Sequence, residues 1–347
     1  MAQYEKKIVH LLHWDNKFTP SFIYFTNREF SFDHHLFIVY GYNVVLDNTL
    51  AHNIIVIPRL LKSLCSISQH FRSANKIIIH GLFNTELLLL LFINLKFLKS
   101  AYWTIWGGDL YIYNTQKRDI RWYFKEIFRK FIIRRIGHLV THVKGDLKLV
   151  EDWYGGKGEQ HDCFMYQSNI FKDVTTKINP HDEIFVLIGN SADPSNNHIE
   201  VLKILERFKS QKIKLFCPLS YGCQSYAQRV SDLGKAIFGD KFIPIRDFMS
   251  LQKYNELLCS IDIAIFNHRR QQAFGNIITL LGMKKKVFLR HDVTTFSFFD
   301  DIGVAVYSID DISLDLIDPL VASRNSKLII NNFSESRLVE QWSLIYE

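Results

Sequence analysis

The feature that most constrains this chain is a rhythm. Short runs rich in β-branched and aromatic residues recur along it, KIVHLLHW, HLFIVYG, NIIVIP, KIIIHG, AYWTIWG and HLVTHV, with helically spaced stretches such as RLLKSLCSISQHF between several of them. Runs that are apolar almost throughout belong to strands covered on both faces, and strands alternating with helices build a parallel sheet. The rhythm lapses around residues 152–180, in WYGGKGEQHDCFMYQSNIFKDVTTKINPHDE, where Gly, Asn, Asp and Lys accumulate. It resumes with EIFVLIG, IKLFCPLSYG, KFIPIRDF, IDIAIFNH, KKVFLRH and VAVYSI, separated by NNHIEVLKILERFK and LQKYNELLCS. At 347 residues the chain exceeds one ordinary core of roughly 100 to 200. The reading is an α/β fold of two Rossmann-like domains in series, 1–170 and 171–330.

Composition narrows what such a chain can do. With 48% hydrophobic and 22% charged residues it is globular, and it is long enough to fold without staples. Five scattered cysteines with no C-x-x-C pair argue against a disulfide framework or a zinc site, and point to a reducing compartment. The N-terminal MAQYEKKIVHLLHWDNKF has too short an apolar run for a secretory signal. The longest apolar run, residues 87–95, falls short of the roughly 20 needed to cross a bilayer. A net charge of +7 and a pI near 9.0 point to a polyanionic partner: nucleic acid, an anionic membrane surface or a phosphorylated substrate.

In parallel sheets ligands sit beyond the carboxyl ends of the strands, so the strand-to-helix loops carry the chemistry. After EIFVLI come Gly189, Asn190, Ser191, Asp193, Asn196 and His198, small and amide residues before a helix whose free N–H groups can meet an anion. After IDIAIF come Arg270, Gln271, Gln272, Gly275 and Asn276, where guanidinium and amides suit a diphosphate. In the first half, His80 and Asp109 stand at strand ends, and Asp15 follows the first strand; each is a candidate general base. No G-K-[ST] P-loop, G-x-G-x-x-G fingerprint, Ser-His-Asp triad or Asp-x-Asp pair is present, so neither cofactor nor metal is expected.

IHGLFN, WTIWGGDLY, IGNSADPSNNHI and RRQQAFG, in this order and at these separations, resemble the bacterial TDP-N-acetylfucosamine:lipid II N-acetylfucosaminyltransferase family, from about Lys7 to the final helix near Trp342. The resemblance implies the GT-B fold, two Rossmann-like domains facing across a cleft, with residues 331–347 as a helix packing back toward the first domain. It implies transfer of a 6-deoxy-amino sugar from a dTDP-sugar, or another nucleotide-linked sugar, to a polyprenyl-diphosphate-linked saccharide. The product would serve common-antigen or O-antigen synthesis, at the cytoplasmic face of the bacterial inner membrane. The two loops of the second half, with Tyr221 of CPLSYGCQS, become the donor site. Asn84, Trp106, Gly107 and Tyr111 become the acceptor site, with Asp109, His80 or Asp15 as base. Asp109→Asn is then expected to lower turnover and keep nucleotide binding.

One stretch, IRWYFKEIFRKFIIRRIG at residues 120–137, is aromatic, aliphatic or basic almost throughout. Helical spacing puts Ile120, Tyr123, Phe124, Ile127, Phe128 and Phe131 on one face, expected to bury against the first sheet, with Arg121, Lys125 and Arg129 along its flank. That basic flank is expected to meet an anionic membrane surface through residues 117–135. The alternative to an enzyme is a non-catalytic polyanion or nucleic-acid binder, motivated by the same helix.

Overall fold

The computed structural model describes residues 7–45, 53–174 and 181–347. The chain divides into two compact units, Met1–Ser168 with Glu335–Glu347, and Asn169–Ser334.

The first unit runs β1 (Lys7–His13), α1 (Thr19–Glu29), β2 (His35–Tyr40), β3 (Ile54–Ile57), α2 (Leu64–Ser73), β4 (Ala74–His80), α3 (Thr85–Ile93), β5 (Ala101–Thr104), α4 (Ile112–Thr115), α5 (Ile120–Ile133), β6 (His138–Val140), α6 (Lys144–Tyr154) and β7 (Glu159–His161). Its strands form one parallel sheet in the order β3-β2-β1-β4-β5-β6-β7. The order reverses between β1 and β4, where the loops leaving their carboxyl ends diverge and open a crevice. The stretch from 152 where the rhythm lapses supplies edge strand β7; residues 175–180 of it lie outside the described residues.

Strand parity divides this sheet into two unlike faces. Val9, Leu11, Ile38, Ile77, Ile79, Trp103 and Leu139 point one way into an apolar core shared with α2, α3, α5 and α6. The opposite face carries the histidines: His10 hydrogen-bonds His35 (3.0 Å) and His80 (3.2 Å), one each on β1, β2 and β4. Phe22 of α1 and Trp342 pack on His80. Trp342 lies on the last helix of the chain, and its Nε1 donates to the Met165 carbonyl (3.0 Å).

Burial keeps these imidazoles neutral, lowering His35 to about 4 and His80 to about 3. His10 is also lowered, by burial and by the two neighbouring histidines. An unfolded chain would protonate them near 6.5, so between that pH and the folded values the unfolded state binds more protons. The histidines' contribution to stability is therefore present above pH 6.5 and is lost as the pH drops toward 4, by up to about 1.4 kcal/mol per unit for each such histidine. Denaturant melts at pH 7 and pH 5 should differ accordingly, and His35→Gln should flatten the slope.

Helix α5 sits in the opposite phase to expectation. Its buried side chains are Trp122, Glu126, Arg129, Ile132 and Ile133, whereas Ile120 (72%), Phe124 (62%) and Ile127 (64%) are exposed, as are Tyr123 and Phe128. Both faces carry large apolar groups, so periodicity alone did not choose between them. Polar chemistry did. Arg129 donates to the carbonyls of Leu82 and Asp109 and pairs with Glu126 at 3.2 Å, satisfying a buried cation and two loop carbonyls together. Arg129, expected on an exposed flank, is fully buried.

The second unit runs β8 (Ile184–Ile188), α7 (His198–Leu205), β9 (Ile213–Pro218), α8 (Gln224–Phe238), β10 (Phe242–Ile245), α9 (Leu251–Ser260), β11 (Ile263–Phe266), α10 (Phe274–Gly282), β12 (Lys286–Leu289), α11 (Thr294–Asp301), β13 (Tyr307–Ser308) and α12 (Pro319–Asn332). Its parallel sheet is ordered β10-β9-β8-β11-β12-β13 and reverses between β8 and β11. Helix α13 (Glu335–Tyr346) belongs to the first unit, where Leu338, Gln341, Trp342 and Ile345 are buried.

Candidate active site

Both order reversals carry a cluster of functional side chains. In the first unit a pocket beyond β1, β4 and β5 is lined by Leu12, His13, Asp15, Phe18, Thr19, His80, Phe83, Trp106 and Tyr166. Asp15 occupies the turn from β1 into α1. Its Oδ1 accepts from the backbone N–H of Lys17 (2.8 Å) and Phe18 (3.0 Å), fixing the side chain at the helix start. No described residue donates to its Oδ2, and the side chain is half-buried at the pocket wall. Asp15 therefore combines a fixed position with a vacant lone pair.

The other two candidate bases have none to spare. His80 has its Nδ1 2.6 Å from the Tyr166 hydroxyl and its Nε2 3.2 Å from His10, and burial lowers it to about 3. It reaches the pocket as a neutral, fully hydrogen-bonded imidazole. Trp106 Nε1 donates to the same Tyr166 hydroxyl (2.8 Å), which sets the indole edge that lines the pocket.

Asp109 is completely buried. Its Oδ2 accepts from Leu82 N (2.8 Å) and Trp103 Nε1 (2.7 Å), and its Oδ1 from Trp106 N (2.9 Å) and Leu110 N (3.1 Å). Burial pushes its pKa up against these donors and the Arg129 charge. This carboxylate ties the loops after β4 and β5 together and does not line the pocket. Asp109→Asn turns an N–H₂ toward backbone donors, so the expected result is a loss of about 1–3 kcal/mol in folding stability, measured by denaturant melts. Activity per folded molecule should stay within about tenfold of the wild type.

Among the acceptor candidates, Asn84 caps α3, its Oδ1 accepting from Glu86 N (2.7 Å). Gly107 gives the loop a left-handed turn at φ +77. Tyr111 is buried, with its hydroxyl directed at Asp146 Oδ1 (3.4 Å), and it does not line the pocket. Sequence reasoning missed Tyr166 because it lies in the stretch where the strand–helix rhythm lapses. Phe18 and Thr19 were legible in principle, since Asp15 followed by a helical run is a capping signal.

In the second unit the loops after β8 and β11 interlock. Asn196 Oδ1 accepts from Asn190 N (3.0 Å) and lies 2.8 Å from His268 Nε2. Asn197 Nδ2 donates to the Asn267 carbonyl (2.9 Å), and Ser195 Oγ to Gln272 Oε1 (2.7 Å). Gln272 also reaches Asn190 Oδ1 (3.3 Å), whose amide donates to the Tyr221 hydroxyl (3.1 Å). Ser191 and Gln271 are buried within this frame, and Asn276 donates to Tyr254 (3.0 Å). His268, Asn197 and Tyr254 were not singled out from the sequence.

Gly189 has φ +66, and a β-carbon there would stand 2.5 Å from His198 Nε2. His198 is buried, lowered to about 4 by that burial, and neither ring nitrogen has a hydrogen-bond partner among the described residues. Arg270, half-buried, pairs with Asp193 at 3.5 Å. Burial pushes the Asp193 carboxyl up, but hydrogen bonds from Ser195 and the Arg270 charge outweigh it and hold the pKa below the usual range. Gly275 lies in the first turn of α10, whose leading N–H groups belong to this edge. Together these groups can hold an anion.

Among the described residues one trio has metal-ligand spacing: His138, Glu159 and His161 offer atoms within 4.8 Å of one another, on β6 and β7. None of them lines the pocket.

Solved structures share the whole architecture at low identity. A glycosyltransferase from Rickettsia africae ESF-5 aligns with a TM-score of 0.66 at 13% identity, over 98% of both chains. Anabaena Alr3699/HepE, in complex with UDP and glucose, aligns at 0.68 with 10% identity, over 97% of this chain and 99% of that one. WaaG, a glycosyltransferase involved in lipopolysaccharide biosynthesis, aligns at 0.58 with 10% identity, over 98% and 94%. Two parallel doubly wound units with clusters at both order reversals are thus the GT-B fold, and the class is that of GT-B glycosyltransferases. The chain belongs to the 4-alpha-L-fucosyltransferase family, glycosyl transferase group 56, whose model matches residues 31–320. Membership in an enzyme family displaces the reading as a non-catalytic polyanion binder. No helix among the described residues is long and apolar enough to cross a membrane.

Proposed function

We propose that the protein transfers a 6-deoxy-amino sugar, such as 4-acetamido-4,6-dideoxygalactose, from a dTDP-linked donor to a polyprenyl-diphosphate-linked saccharide. The product belongs to a bacterial surface polysaccharide, O-antigen or common antigen, and the enzyme works as a peripheral protein at the cytoplasmic face of the inner membrane. The carrying observation is the presence of two unlike sites, one in each unit: a pocket where one carboxylate oxygen has no donor among the described residues, and a loop frame with a cation and a buried imidazole that has no hydrogen-bond partner among them. The family's fucosyl chemistry supports a 6-deoxyhexose, and the UDP complex of Alr3699/HepE supports a nucleotide-linked donor.

In this reading Asp15 Oδ2 takes the proton of an acceptor hydroxyl as its oxygen bonds to C1 of the sugar. The bond from C1 to the diphosphate oxygen breaks, and the charge left on the diphosphate is met by Arg270 and by the N–H groups leading α10, those leading α7 being taken by the Tyr226 hydroxyl and the Asn197 carbonyl. Trp106 and Phe83 provide an aromatic wall against which a sugar ring can stack. His80, Tyr166 and Asp109 position that wall.

Differential scanning fluorimetry against UDP-, GDP- and dTDP-sugars tests the donor. Binding to the folded state raises the melting point, by about 2.7 kcal/mol of stability at a hundredfold excess over Kd. A dTDP-sugar is expected to give the largest shift; a UDP- or GDP-sugar in that place would overturn the dTDP assignment.

A further inference from the structure

We infer that the outward face of α5, continued onto α3, seats the protein in an anionic lipid bilayer, its aromatic and aliphatic side chains entering the acyl boundary. The apolar ridge is Ile120, Tyr123, Phe124, Ile127 and Phe128, all exposed and all opposite the buried Trp122–Arg129 side. Phe92 of α3 meets Phe128 and Phe131 at ring-centroid distances of 5.2 and 5.5 Å, and on the same helix Leu89 and Ile93 are exposed too. The ridge therefore spans two packed helices. A continuous apolar surface of this kind marks an interaction site.

Charge selects the partner. Lys117, Arg121, Lys130 and Arg135 are exposed around the ridge, and Asp119 is the one exposed acid between residues 117 and 135. On the helical wheel Arg121 borders one side of the ridge and Lys130 the other, while Arg135 lies 3.5 Å over the Phe131 ring. Cations on both borders of an apolar ridge match a bilayer: the ridge enters the acyl region while long basic stems keep their charges at phosphate level. A second copy of this chain would set the same cations against each other. A nucleic acid would offer no apolar phase to Ile120 and Ile127. With 14 residues, α5 is too short to cross and lies in the plane of the interface.

This inverts the expected arrangement, in which only a basic flank faced lipid: the apolar ridge supplies contact of its own. Co-sedimentation of the full chain with phosphatidylcholine vesicles, with and without phosphatidylglycerol, tests it without reference to the sugar moved. The wild type should pellet strongly with the mixed vesicles and measurably with the neutral ones. Phe124→Glu with Ile127→Glu should weaken both by roughly tenfold or more, and Arg121→Glu with Lys130→Glu should remove only the anionic increment. All four positions are exposed, so unchanged melting curves confirm that folding is kept. Wild-type binding by the Phe124/Ile127 variant would overturn the inference. So would a wild-type chain that ignores vesicles and either dimerises through the ridge or binds oligonucleotides through it.

Discussion

Asp15→Asn is expected to lower kcat by about 100-fold or more while leaving the fold and the donor KM intact. The asparagine oxygen still accepts from Lys17 and Phe18, so the start of α1 is preserved and the substitution removes little besides the basic oxygen. Donor affinity should persist because every donor-loop candidate belongs to the second unit. A steady-state comparison at saturating donor decides the matter. A well-folded variant with more than roughly a tenth of wild-type turnover would remove Asp15 from the mechanism. Asp109→Asn is the matched control: both substitutions delete a carboxylate, one facing a pocket and one enclosed by four donors.

Arg270→Ala should reduce turnover by about 100- to 1,000-fold, the usual cost of removing one preorganised donor from a developing anion. Arg270 is already held in place by Asp193 at 3.5 Å. A lysine there would keep the charge and lose the planar fork, so Arg270→Lys is expected to recover only part of the loss. The acceptor KM should stay near its wild-type value. Full activity in the folded alanine variant would show that the diphosphate is held elsewhere.

The two doubly wound units were legible because parallel strands buried on both faces read as apolar runs, and KIIIHG or IDIAIF can hardly be anything else. The helix over 251–260 was legible for the complementary reason, its periodic apolar positions following a Ser cap. What periodicity could not resolve was which face a helix buries when both are apolar. Arg129 decided that for α5, through carbonyls 47 and 20 residues away in the chain. The same distance effect governed the site. Asp109, His80 and Asp15 each read as a proton acceptor at or just after a strand end. Their surroundings separate only once Trp103, Tyr166 and His10 are folded against two of them. Tyr166 itself sits among residues whose composition signals a loop, so no local pattern marked it.

The Arg129 side chain has a mechanical consequence. Its guanidinium is a rigid plate fixed at once to the segment before Phe83 and to the segment after Trp106, while its backbone is part of the helix that shows its other side to the exterior. Through it that helix is joined directly to the two loops that carry Phe83 and Trp106 of the pocket.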